Sequence, residues 1–128
     1  MKYFTINELT ATTTGLPNMP GATETANLTR LVNELLDPVR EQWGKPVRVN
    51  SGYRSAAVNK AVGGAAASQH LKGEAADITA GTPDDNRRLF DLVQRSGLPF
   101  DQLIDEQNYR WLHISLKAAG NRRQVLHL

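Results

Sequence analysis

The stretch FDQLIDEQNYRWLHISL, residues 100–116, decides the fold. Two runs of alternating character, FDQLIDE (100–106) and WLHISL (111–116), flank the polar segment QNYR, the pattern of two antiparallel strands joined by a four-residue turn. Successive side chains of a strand point to opposite faces, so Leu112, Ile114 and Leu116 fall on one side and Trp111, His113 and Ser115 on the other. The first set reads as core. The second presents a histidine on a rigid support, as a functional group should be presented. If the two strands pair as a hairpin, Gln102, Ile104 and Glu106 share a face, and Gln102 becomes a candidate to line a pocket.

Upstream of the hairpin, a helix is signalled by Thr82 as N-cap, Pro83 at the first helical position, Asp84 and Asp85 in the first turn, and an apolar face of Leu89, Phe90 and Val93. Gly97 ends it. EAADITA (74–80), bounded by Gly73 and Gly81, reads as a strand with Ala75, Asp77 and Thr79 on one face, where the small neighbours leave room around the Asp77 carboxylate. PVRVNSG (46–52) alternates like a half-buried strand, and SGYRSAAVNKAVGG (51–64) turns through a loop into a short helix. From Thr23 to Gly44, Leu28, Leu31, Leu35, Val39 and Trp43 recur at three- and four-residue steps as one face of an amphipathic helix, in which Pro38 predicts a kink or a break. Residues 3–10 form a short extended or helical lead-in, residues 11–21 a loop, and QVLHL (124–128) a further strand. Helices followed by consecutive strands predict an α+β fold, a mostly antiparallel sheet with helices packed on it.

At 128 residues the chain is expected to form one domain, residues 1–128, around one core. Fifteen basic and thirteen acidic residues give a net charge of +2 with the signs interspersed, which argues against nucleic acid as a partner. No cysteine is present, so a metal would be held by nitrogen and oxygen ligands. The N-terminus lacks the apolar run of a signal peptide and no segment reaches transmembrane length, so neither membrane association nor self-export is expected.

A catalytic zinc site needs three protein ligands, usually His and carboxylate, with one position left for water. Three histidines are present, and two stand in unusual surroundings: His70 in SQHLKGEAAD and His113 in WLHIS. Each residue taken singly has an ordinary structural reading, a packed histidine or a capping Asp, and His127 keeps that reading. The combination points further. Ser68, His70, Gly73, Ala75 and Asp77 match a Ser-x-His-x-x-Gly-x-Ala-x-Asp pattern, Trp111 and His113 a Trp-x-His pattern, and SGYRS an arginine motif around Arg54. In these motifs and their order the chain resembles the zinc D-Ala-D-Ala carboxypeptidases and the phage-type murein peptidases related to them, which share a metal-binding core with lysostaphin-type enzymes and the hedgehog domain.

The resemblance implies a hedgehog or DD-peptidase-like fold, with zinc held by His70, Asp77 and His113, and hydrolysis of peptidoglycan stem peptides as a carboxypeptidase or an endopeptidase. Arg54 would bind a substrate carboxylate or the oxyanion, and Ser68, Gln102 and Trp111 are the further substrate-side candidates. Several members of the family place an acidic residue three positions before the last histidine, where this chain has Arg110. FDQLIDE, ending in Glu106 a short turn before the Trp111 and His113 signature, resembles a subgroup of small murein peptidases, and that resemblance implies Glu106 as the candidate general base, with Asp105 as runner-up. The expected setting is a monomer acting on cell wall, released from the cytoplasm through another protein's pore, as in a phage or prophage. The alternative from another class is a zinc-containing module that binds cell wall or protein without hydrolysis.

Overall fold

The computed structural model describes residues 1–128. Helix α1 (Ile6–Thr10) opens the chain, capped by the Thr5 hydroxyl, which accepts the Glu8 N–H at 3.2 Å. The expected amphipathic helix runs from Ala22 to Trp43 as α2 (Ala22–Leu31), a π-helical turn (Val32–Leu36) and α3 (Asp37–Trp43). Pro38 neither breaks nor ends it: the turn before it widens so that the Asp37 N–H donates to the Val32 carbonyl five residues back. That widening makes room for a residue with no N–H and a ring that would otherwise strike the preceding turn. The left-handed Gly44, φ 75°, stops α3.

Strand β1 (Arg48–Ser51), helix α4 (Ala56–Ala61), a 3₁₀ turn (Gln69–Lys72), β2 (Ala75–Thr79), α5 (Pro83–Arg95), β3 (Gln102–Glu106), β4 (Trp111–Ser115) and β5 (Gln124–His127) complete the chain. Thr82 caps α5 as expected, accepting the Asp85 N–H at 3.1 Å. The sheet order is β1-β2-β4-β3-β5, antiparallel throughout except for the edge pair β3 and β5, which is parallel. The parallel edge follows from where β4 ends. Ser115 lies beside the start of β3, with its carbonyl accepting the Asp101 N–H, and Arg123 and Gln124 bond the Phe100 and Asp101 carbonyls, so β5 sets out alongside β3 in the same direction.

One face of the sheet is core. Ala76, Ile78, Leu103, Leu112 and Ile114 pack there against the helices, in one buried cluster with Leu28, Leu35, Leu89 and Phe100. Each such leucine removed from water contributes about 1.5–3 kcal/mol. The parity read from the sequence holds in β2 and β4: Asp77 and His113 stand on the other face, as direct cross-strand partners. No helix is long and apolar enough to cross a membrane.

Candidate metal centre and its cleft

His70 lies in the 3₁₀ turn, whose N-cap is Ser68; the Ser68 hydroxyl accepts the His70 backbone N–H at 3.2 Å. Ser68 therefore shapes the loop as well as lining the cleft. Gly73, φ 73°, ends the turn where a Cβ would come within 2.5 Å of the Glu24 carbonyl, so only glycine fits this close approach to α2. Behind the imidazole, the Gly52 carbonyl takes the His70 Nδ1–H at 2.7 Å. Gly52 is itself pressed against the Leu9 backbone, with a Cβ position 2.3 Å from the Leu9 carbonyl oxygen. Two glycines thus bring a helix, a strand and a turn close enough to fix one histidine tautomer.

With its Nδ1 proton committed, His70 offers a bare Nε2, and this atom faces the Asp77 Oδ1 at 3.2 Å. The same Oδ1 lies 3.3 Å from Nδ1 of His113. The three ligand atoms all lie within 4.8 Å of one another. A lone-pair nitrogen opposite an ionised oxygen is repulsive unless a proton or a cation sits between them, and a His-Asp-His donor set suits a divalent ion of intermediate softness. The residues present therefore fit a metal ion. Burial would raise the Asp77 carboxyl; with a proton rather than a cation between it and the imidazoles, hydrogen bonding to His113 and His70 outweighs burial and holds the group well below the usual carboxylate range. The second oxygen of Asp77 is occupied by Arg54, whose Nη2 donates to Oδ2 at 3.2 Å while its Nε donates to Ser51 Oγ at 3.1 Å. Arg54 thus reaches the centre, tied to a ligand-set carboxylate rather than lying on the surface.

A cleft of about 450 Å³ opens beside the centre, with His113, Ile104, Gln102, Glu106 and Ser68 among its walls. Glu106 ends β3 directly opposite Trp111, and Ile104 is the partner of His113, so Glu106 lies one diagonal step along the same face from His113. Burial first, then the nearby Asp77 charge, push the Glu106 carboxyl above its ordinary value. Gln102 lines the cleft as expected, and its amide donates to Gln124 Oε1 at 2.9 Å.

One expectation is corrected. Asp105 points to the opposite face of the sheet and is buried there against His127, whose Nδ1 it binds, so it cannot serve as a base for this centre. Strand parity is the reason, since neighbours in β3 face opposite ways. Trp111 stands at the turn end of β4, on the same face as His113 and directly opposite Glu106. Arg110 is exposed in the turn, its Nη1 donating to Gln107 Oε1 at 3.4 Å.

Sequence reasoning missed a fully buried side chain behind the site. Asn86, on α5, accepts the Ala80 N–H at 2.6 Å and donates to the carbonyls of Tyr109 at 2.9 Å and Arg110 at 3.1 Å. It clamps the turn between Glu106 and Trp111, where Gln107, Asn108 and Tyr109 all have positive φ, at 48°, 58° and 64°. An Asn on a helix carries no local mark of such a role. Its partners become visible only once the turn is folded onto α5.

The Peptidase M15 family profile matches residues 2–115, and the chain belongs to that family. Over 48 residues, 37% of this chain, it is 48% identical to the zinc D-Ala-D-Ala carboxypeptidase of Streptomyces albus G. The match spans 19% of the length of that protein.

Proposed function

We propose that the chain is a zinc peptidase that hydrolyses a bond in the peptide stems of peptidoglycan, with His70, Asp77 and His113 as the metal ligands. The observation that carries the reading is the convergence of His70 Nε2, Asp77 Oδ1 and His113 Nδ1 on one point at the wall of an open cleft. Family membership supports peptide hydrolysis, and the name of the Streptomyces relative supports zinc and a D-Ala terminus.

Zinc in this site would supply Lewis acidity, polarising a carbonyl and acidifying water at neutral pH. The chain supplies the rest. Gly52 holds His70 in the tautomer whose Nε2 faces the centre, and Arg54 holds Asp77 through its second oxygen, so the ligand set is oriented before substrate arrives. Glu106 takes a proton from water at one carboxylate oxygen and returns it to the leaving amine. Its partial burial in the cleft wall suits that exchange, since the protonated form is stabilised there. Arg54, which stands beside the ligand Asp77, binds a substrate carboxylate or the developing oxyanion. The chain acts as a monomer on wall peptide and takes no nucleic acid.

The test is incubation of the zinc-loaded protein with isolated stem peptides, with and without chelator, followed by mass analysis. Chelator-sensitive release of D-Ala identifies a carboxypeptidase and a cut inside the stem an endopeptidase. Intact peptide in both arms would leave the non-hydrolytic binding module as the reading.

A further inference from the structure

Asp101 lies just before β3 and is fully buried, at 0% exposure. Its carboxylate accepts the Arg122 backbone N–H at 3.1 Å, Arg122 Nε at 3.0 Å, Arg122 Nη2 at 2.8 Å and the Gln69 side-chain amide at 2.8 Å. Lys117 Nζ stands 3.7 Å away. Hydrogen bonding from Arg122 is the main influence on this carboxyl and, with the Gln69 bond, holds it well below the usual range. The cluster is not accounted for by the metal centre, yet Gln69, Lys117 and Arg122 all line the same cleft, together with Lys72.

Two properties of the cluster point to a ligand. Arg122 spends Nε and Nη2 on Asp101, which fixes the plane of its guanidinium and leaves Nη1 uncommitted, while its side chain stays half exposed at the cleft. Gln69 is fixed the other way round. Its amide nitrogen must face Asp101, because turning the amide over would set oxygen against carboxylate, so Oε1 is left buried with no partner. This part of the cleft therefore presents an unmatched acceptor, Gln69 Oε1, beside an uncommitted Arg122 Nη1, with Lys72 and Lys117 close by and the carboxylates of Glu74 and Glu106 elsewhere in the same lining.

We propose that Gln69, Lys72, Lys117 and Arg122 form a subsite for a free carboxylate carried on a peptide, with Gln69 Oε1 accepting a neighbouring backbone N–H. The identity of the ligand as a peptide rests on the peptidase reading; the requirement for a carboxylate next to an N–H donor rests on the cluster. A peptide with amides alone would satisfy Gln69 and leave Arg122 Nη1 without an anionic partner.

The experiment measures binding rather than turnover. Zinc-loaded Glu106→Gln protein is titrated calorimetrically with a synthetic stem pentapeptide, and with the same peptide whose internal free carboxylate is converted to carboxamide. The expected loss on amidation is about tenfold in affinity, shrinking to under about twofold when Lys72→Gln and Lys117→Gln are added. Arg122→Gln is the second variant, with a thermal melt to establish that it folds. Equal affinity for acid and amide peptides, or a penalty that persists in both variants, would overturn the subsite. Discrimination without hydrolysis by the unmutated protein would leave the subsite standing and remove the peptidase reading. Equal hydrolysis of both peptides by the unmutated protein would do the reverse.

Discussion

Asn86→Ala removes the clamp on the turn that joins Glu106 to the Trp111-x-His113 strand. Three consecutive left-handed residues, Gln107, Asn108 and Tyr109, make this turn costly, at roughly 1–2 kcal/mol for each residue with a Cβ. The turn persists because the Arg110 N–H donates to the Glu106 carbonyl at 3.1 Å and the Asn86 amide donates to the Tyr109 and Arg110 carbonyls. Truncation forfeits those two bonds and the one from the Ala80 N–H, and it leaves a polar void at a position with 0% exposure. At about 1 kcal/mol per bond, with partial rehydration of the turn carbonyls, the expected loss is about 2–4 kcal/mol. That is a large share of the roughly 5–15 kcal/mol that holds a domain of this kind together. Urea unfolding followed by tryptophan fluorescence measures it, with Trp111 reporting from the turn end of β4. Asn86→Asp keeps the acceptor for Ala80 but sets a carboxylate against two carbonyls, so it should be no better than alanine. A loss below about 1 kcal/mol for alanine, or full stability in the Asp variant, would refute the clamp.

Glu106→Gln should lower kcat/KM on stem peptide by about 100-fold or more while zinc content stays at that of the unmutated protein; undiminished turnover would place the base elsewhere. His113→Ala should lose zinc and activity together, and stoichiometric metal in that variant, by elemental analysis, would remove His113 from the ligand set. Asp101→Asn should cost about 2 kcal/mol at neutral pH by unpairing Arg122. Because the folded carboxyl is depressed, its contribution is complete above the unfolded value of about 4 and is lost as pH falls through the folded value. The gap between the two proteins in thermal melts should therefore close below about pH 4, and a gap independent of pH would contradict the pairing.

The sheet was legible where alternation is strict. WLHIS and AADIT put Leu112, Ile114, Ala76 and Ile78 on one side and His113 and Asp77 on the other, because a strand allows only two directions. The same rule separates Glu106 from Asp105, a distinction available from the sequence once the hairpin is accepted. The parallel setting of β5 was not legible, since it depends on where the chain lies when it leaves β4. The adjustment at Pro38 was half visible: proline signals disturbance, but whether a helix breaks or widens depends on the packing of Leu31, Leu35 and Leu36, all buried. The supporting groups, Gly52, Asn86 and Asp101, act through carbonyls and amides whose partners are distant in sequence, and no local pattern marks them.

The central claim is that two imidazoles and one carboxylate hold a single zinc ion at the wall of the cleft. A crystal structure of the zinc-loaded protein, with anomalous diffraction recorded across the zinc edge, tests it most directly. The account predicts one anomalous peak bounded by His70 Nε2, Asp77 and His113 Nδ1. A peak elsewhere, at the Asp105 and His127 pair for example, or none between these three side chains, would contradict it.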